Sequence, residues 1–138
     1  MTTEIDRLCD HVLAVKEPEG FASALAIPLA LTDQTDTVEF YEGVFPIGAF
    51  AKADLRVNRS TALMFLVLEA RPGDGIPLGS VRMDRYAAAP IAVDVNAWIP
   101  PDGTSAYVYL VGGVRLTFEF TLKERFLRAV SFEWPPRT

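Results

Sequence analysis

The side chains with the most chemical potential lie near the carboxyl end of this sequence: the phenols of Tyr107 and Tyr109 and the guanidinium of Arg128. A phenol hydroxyl both donates and accepts hydrogen bonds, and a guanidinium keeps its charge in any protein environment. Together they suit an anionic or carbonyl group on a small molecule. Phe118, Phe120, Phe126 and Trp134 surround them in the sequence. An apolar cavity with a few convergent polar groups is the usual form of a ligand site. The expected site therefore takes its polar contacts from Tyr107, Tyr109 and Arg128 and its apolar wall from Phe118, Phe120 and Trp134. Any reaction there would need no cofactor, because Arg128 and the tyrosine hydroxyls would themselves stabilise developing charge.

Other combinations fail on spacing. Cys9-Asp10-His11 holds the elements of a nucleophilic site, but helical residues one or two apart do not face one another, so Cys9 is expected in the core and His11 in solvent. Gly43 to Lys52 contains spaced glycines, yet its lysine falls too late for a phosphate-cradling loop. Gly73-Asp74-Gly75 precedes no helix on which a pyrophosphate could rest. Asp84 and Asp94 would form an acid–base pair if they met across neighbouring strands. One cysteine and one histidine cannot supply the four ligands of a structural zinc site, so no metal is expected.

Composition narrows the partners. Of 138 residues, 50% are hydrophobic and 22% charged, the balance of a folding chain, and residues 1–138 are expected to form one domain. Thirteen Lys and Arg against eighteen Asp and Glu leave a net charge of −5, with the arginines scattered, which argues against nucleic acid. The longest nearly apolar run, Phe21 to Leu31, contains Ser23 and Pro28 and is far short of the roughly 20 residues that span a bilayer. Acids near the amino terminus replace the basic start of a signal peptide, so a cytoplasmic protein is expected.

The elements that must position these residues follow from periodicity. Ile5, Leu8, Cys9, Val12 and Val15 recur at helical steps, with Thr3 and Asp6 placed as a capping box. Phe21 to Leu31 alternates large and small residues and predicts a strand, its alanines leaving helix as the alternative. Further strands are predicted at Thr37–Glu42, at Asp54–Asn58 and, buried and central, within Thr61–Ala70. Five more are predicted at Ser80–Tyr86, Ile91–Ile99, Ser105–Val111, Val114–Thr121 and Phe126–Trp134.

Gly112-Gly113 is the strongest single signal, since both central residues of the favoured hairpin turn need positive φ. That turn sets Tyr109 opposite Leu116 and Tyr107 opposite Phe118, so the tyrosines share the inner face with Phe118 and Phe120. A three-residue loop at Lys123-Glu124-Arg125 would align Phe118 with Val130 and Leu116 with Phe132. It would also turn Arg128 inward beside Phe120. The outer face then carries Asp94, Trp98, Val108, Leu110, Arg115 and Glu119.

The expected architecture is α+β: an amino-terminal helix on a strongly bent antiparallel sheet of six to eight strands, closed into a barrel or left as an open two-layer sandwich. The expected function is binding of an apolar or aromatic small molecule inside the curved sheet. The alternative is a small acidic interaction module, such as an adaptor, an inhibitor or an immunity-type protein, with Trp98, Val108 and Leu110 as its interface. Homodimerisation is compatible with both. A cavity lined by Tyr107, Tyr109 and Arg128 would favour the binder; a filled interior with an exposed patch around Trp98 would favour the module.

Overall fold

A computed structural model describes residues 3–99 and 103–136. Helix α1 (Glu4–Leu13) begins as the capping box dictates: the Thr3 side chain accepts the Asp6 backbone N–H while the Asp6 carboxylate accepts that of Thr3. Its apolar stripe, Ile5, Cys9 and Val12, is buried. A 3-10 turn at Pro18–Gly20 leads into the short helix α2 (Phe21–Leu25), which stops where Ala26 takes a left-handed conformation at φ 57°. The strand predicted from Phe21 is therefore helix over its first half. Its alanines favour helix, and the alternation of large and small residues also suits one buried helical face.

Eight antiparallel strands follow: β1 (Ala30–Gln34), β2 (Val38–Val44), β3 (Phe50–Asn58), β4 (Met64–Ala70), β5 (Ala92–Asn96), β6 (Thr104–Val111), β7 (Val114–Thr121) and β8 (Leu127–Trp134). They form one sheet in the order β1-β2-β3-β4-β8-β7-β6-β5. Two four-stranded meanders thus run inward from opposite edges and join where β4 pairs with β8. β1 and β5 are the two ends of this order and do not pair, so the sheet is open rather than a hydrogen-bonded barrel. The central placing of β4 matches the apolar run at Ala62–Leu68, although only its even-numbered residues from Met64 to Leu68 are buried.

The inner face carries the core. Leu55, Leu66, Leu116, Phe118, Phe132 and Val130 belong to the same buried cluster as Cys9 and Val12 of α1 and Phe21 of α2. Phe21 meets Trp134 of β8 edge-on, ring centres 5.1 Å apart. Gly43 in β2 lies under the chain at Ile27–Leu29, where a Cβ would come within 2.8 Å of the Pro28 carbonyl oxygen.

Residues 80–86 are not a strand. They fold with their neighbours into two 3-10 turns, Leu78–Ser80 and Met83–Arg85, within the long connection from β4 to β5. Asp84 accepts Arg82 Nε and Nη2 at 3.1 Å each, a local pairing that holds the chain in a turn. The segment lies over the inner face, with the Tyr86 ring 5.8 Å from Phe118 and 6.1 Å from Tyr109.

Candidate functional site

The hairpin at Gly112-Gly113 has the register its sequence dictates. Tyr109 faces Leu116, Tyr107 faces Phe118 and Val108 faces Thr117, while both glycines take positive φ, 57° and 84°. Across the next pair, Phe118 faces Val130, Leu116 faces Phe132 and Arg115 faces Glu133, as expected. The aromatic side chains are nevertheless packed against one another rather than around a void. Phe118 and Phe120 are wholly buried and Tyr109 is 4% exposed, which leaves them no surface for a ligand to touch. Tyr107 is half-buried with its ring edge-on to Phe120, centres 5.8 Å apart. Trp134, also half-buried, is held between Phe21 and Phe132.

Tyr86, which the sequence pattern places in a strand, fills the space with its ring against Tyr109 and Phe118. The signals for its real place were Pro77, Gly79 and Pro90, which break any strand around it, and the apolar Val81 and Met83 beside it.

Arg128 is not inside. The connection between β7 and β8 has five residues, Leu122–Phe126, with Arg125 at φ 59°. Glu119 still faces Ala129, but Phe120 faces Leu127, so one extra residue is accommodated as a bulge. The bulge turns Leu127 into the core and leaves Arg128 exposed. There it lines an open groove of about 630 Å³ with Glu69, Arg71, Pro72, Glu124 and Phe126. Arg71 is already committed, donating to the carbonyls of Phe45, Gly48 and Phe50 at 2.8, 3.2 and 3.1 Å. Arg128 has no ion pair among the described residues.

The interface residues also separate. Trp98 is 92% exposed and Leu110 is exposed, but Val108 is buried on the outer face between the small side chains of Ala92, Ala106 and Thr117. In place of Val108, the exposed apolar surface near Trp98 is supplied by the edge strand β5 and its entry: Ile91 at 59%, Val93 at 50% and Val95 at 63%. Val93 faces Tyr107 and Val95 faces Ser105, so both lie on the inner side of the sheet at its edge.

The two sheet edges differ in kind. β1 is interrupted by a register shift between Leu31 and Asp33 and carries that aspartate, two devices that discourage pairing with another chain. β5 pairs with β6 in continuous register from Ala92 to Asn96, with Asp94 its only charge. Flanking residues of a two-residue hairpin exchange both backbone bonds, so the odd residues of β6 bond to β7 and the even ones to β5. Ala92, Asp94 and Asn96 accordingly bond to β6. The N–H and C=O groups of Val93 and Val95 point to the open side.

On the outer face Asp94 lies opposite Ala106, and Ala106 opposite Glu119, a row of two carboxylates with no cation between them. Neither carboxylate has an ion pair among the described residues.

No family model, no curated protein and no solved structure matches this chain. Its function has to be read from the surface itself.

Among the described residues, Cys9, His11, Asp84 and Asp94 are not brought together. Cys9 is buried, and burial together with the nearby Asp6 pushes its thiol from an ordinary 9.0 up to about 12, the opposite of an activated nucleophile. His11 is exposed on α1. Asp84 is paired with Arg82 in a 3-10 turn and does not meet Asp94 on β5. Among the described residues no group of His, Cys, Asp and Glu could hold a metal ion, and no helix is long and apolar enough to cross a membrane.

Proposed function

We propose that this chain is a protein-interaction module whose contact surface is the apolar ledge of Ile91, Val93, Val95 and Trp98. One observation carries this reading: the aromatic interior is filled by its own side chains, while Trp98, the most exposed large hydrophobic residue among those described, follows the edge strand β5 by two residues. Tryptophan is enriched among residues that dominate binding energy, and contiguous exposed apolar surface beside a free edge marks an interaction site. The module would act as an adaptor or an inhibitor, with its acidity steering it toward basic partners.

The test is photo-crosslinking in the producing cell from a benzoylphenylalanine placed at position 98, with position 47 as control, because Ile47 is 81% exposed but far from β5. The expected result is a discrete crosslinked polypeptide from position 98 and none from position 47. The purified partner should then bind Trp98→Ala at least about tenfold more weakly. Equal binding of the variant would overturn the reading.

A second reading rests on the groove beside Arg128. Its volume, its unpaired guanidinium and the exposed Phe126 ring suit a small amphipathic anion, which moves the small-molecule reading from the interior to the surface. A ligand that co-purifies with the native protein and is lost with Arg128→Ala would support it.

A further inference from the structure

We infer that β5 accepts an extended, basic segment of the partner protein as a ninth strand. This deepens the interaction-module reading and rests on it. Four features of the edge argue for strand addition rather than flat apolar docking. The pairing of β5 with β6 is continuous from Ala92 to Asn96, with Ile91 N–H also donating to the Val108 carbonyl at its entry at 2.8 Å, so the stretch from Val93 to Val95 keeps a regular register. The backbone groups of Val93 and Val95 are directed outward by the hairpin register. The strand holds no lysine or proline to block an approaching chain. Its inner-face side chains, Val93 and Val95, are half exposed or more and would be covered by apolar residues at matching positions of an added strand.

Charge selects the occupant. An added strand brings its outer-face residue about 4.8 Å from the β5 backbone, beside Asp94. Asp94 and Glu119 form a row without a counter-ion among the described residues, so the matching side chain is Lys or Arg. A second copy of this chain would bring another Asp94 and another net charge of −5 to the same place. The complementary segment therefore alternates apolar and basic residues, apolar opposite Val93 and Val95 and basic opposite Asp94. Main-chain bonds would supply affinity and the alternation would supply selectivity, as in other cases where a peptide extends a sheet.

The probe is the peptide Thr-Val-Lys-Val-Lys-Val-Thr, acetylated and amidated, titrated into the isotope-labelled protein while amide resonances are followed. Saturable shifts and slowed hydrogen exchange at Val93 and Val95 are expected. A peptide N-methylated at its central valine should bind about tenfold more weakly, because it loses a backbone donor. The Val95→Pro variant removes an N–H that β6 does not use, so it should melt like the parent while losing about tenfold in peptide affinity. Asp94→Lys should reverse the charge preference, favouring the peptide with Glu in place of Lys by roughly threefold.

If the N-methylated peptide and Val95→Pro bind as well as their parents, strand addition is overturned while the apolar ledge survives as a binding surface. If the protein self-associates through β5, with Val93 and Val95 amides protected by dilution-sensitive dimerisation, the inference is overturned in favour of a second copy. If neither the peptide nor a partner crosslinked at position 98 engages this region, both readings fall together.

Discussion

Asp6 Oδ1 accepts the backbone N–H of Arg82 at 3.1 Å, tying the first turn of α1 to the segment that caps the inner face of the sheet. The carboxylate is wholly buried and also accepts the Thr3 N–H and hydroxyl at 3.2 and 2.9 Å, with Arg85 Nη1 at 3.8 Å. A single side chain thus caps a helix and fixes a distant loop. This is why the connection between β4 and β5 lies over Phe118 instead of forming a strand.

Replacing Asp6 by Ala orphans the Arg82 and Thr3 donors in a buried site. A loss of about 3 kcal/mol in urea unfolding is expected. Thr3→Ala, which removes only the cap, should cost about 1 kcal/mol. In the Asp6→Ala protein, amide exchange should accelerate between Leu78 and Tyr86 more than in β7 or β8. Uniform acceleration would show that Asp6 does not anchor this segment specifically.

Burial of Cys9 has a consequence for pH. Its folded-state pKa is raised from 9.0 to about 12, so below pH 9 the thiol is protonated in both states and contributes its full stabilisation. Between pH 9 and 12 the unfolded thiol ionises while the folded one keeps its proton. The unfolded state then binds fewer protons, and stability falls by about 1.4 kcal/mol per pH unit. Urea unfolding at pH 8 and pH 10 should show this loss in the parent and not in Cys9→Ala. Parallel pH slopes for the two proteins would contradict it. Native protein at pH 8 should also resist thiol reagents until unfolded.

The Tyr86 hydroxyl is buried beside the Cys9 thiol, a weak hydrogen-bonding group, with no oxygen or nitrogen partner among the described residues, and burial pushes its ionisation upward. Tyr86→Phe removes a buried hydroxyl whose neighbouring polar group is the weakly bonding Cys9 thiol and keeps the ring contacts with Tyr109 and Phe118, so a gain of up to about 1 kcal/mol is expected. Tyr86→Ala opens a cavity over Phe118 and should lose about 4 kcal/mol. A Phe variant less stable than the parent would reveal a partner for the hydroxyl.

Gly43 tests the packing of the chain between α2 and β1 against the sheet. An added methyl would stand 2.8 Å from Ile27 Cδ1, Leu29 Cδ2 and the Pro28 carbonyl oxygen, of which the last belongs to the backbone and cannot turn aside. Gly43→Ala should therefore destabilise by about 2 kcal/mol. Gly79→Ala meets nothing within 4 Å and should change the melting temperature little. Equal effects would mean that the Ile27–Leu29 stretch is free to lift away.

The sequence alone determined whatever depended on near neighbours along the chain. Thr3 and Asp6 specified the start of α1, the spacing of Ile5, Cys9 and Val12 specified its buried face, and Gly112-Gly113 specified a hairpin whose register sets Tyr109 against Leu116 and Tyr107 against Phe118. Each follows from a local rule: capping geometry, helical period, or the positive φ that two adjacent glycines adopt at least cost.

Tertiary structure decided the rest, because it turned on contacts between residues far apart in sequence. Asp6 drew residues 78–86 over the inner face, so Tyr86 occupies the space where a ligand cavity was expected. A longer turn and one bulged residue put Leu127 in the core and left Arg128 in solvent. A period-two pattern says which residues alternate but not where an extra residue enters, and a single bulge reverses every side chain beyond it. Which apolar faces stay uncovered was likewise beyond the pattern. Val108 and Val95 are the same residue type in neighbouring strands, and only the assembled sheet buries one and exposes the other.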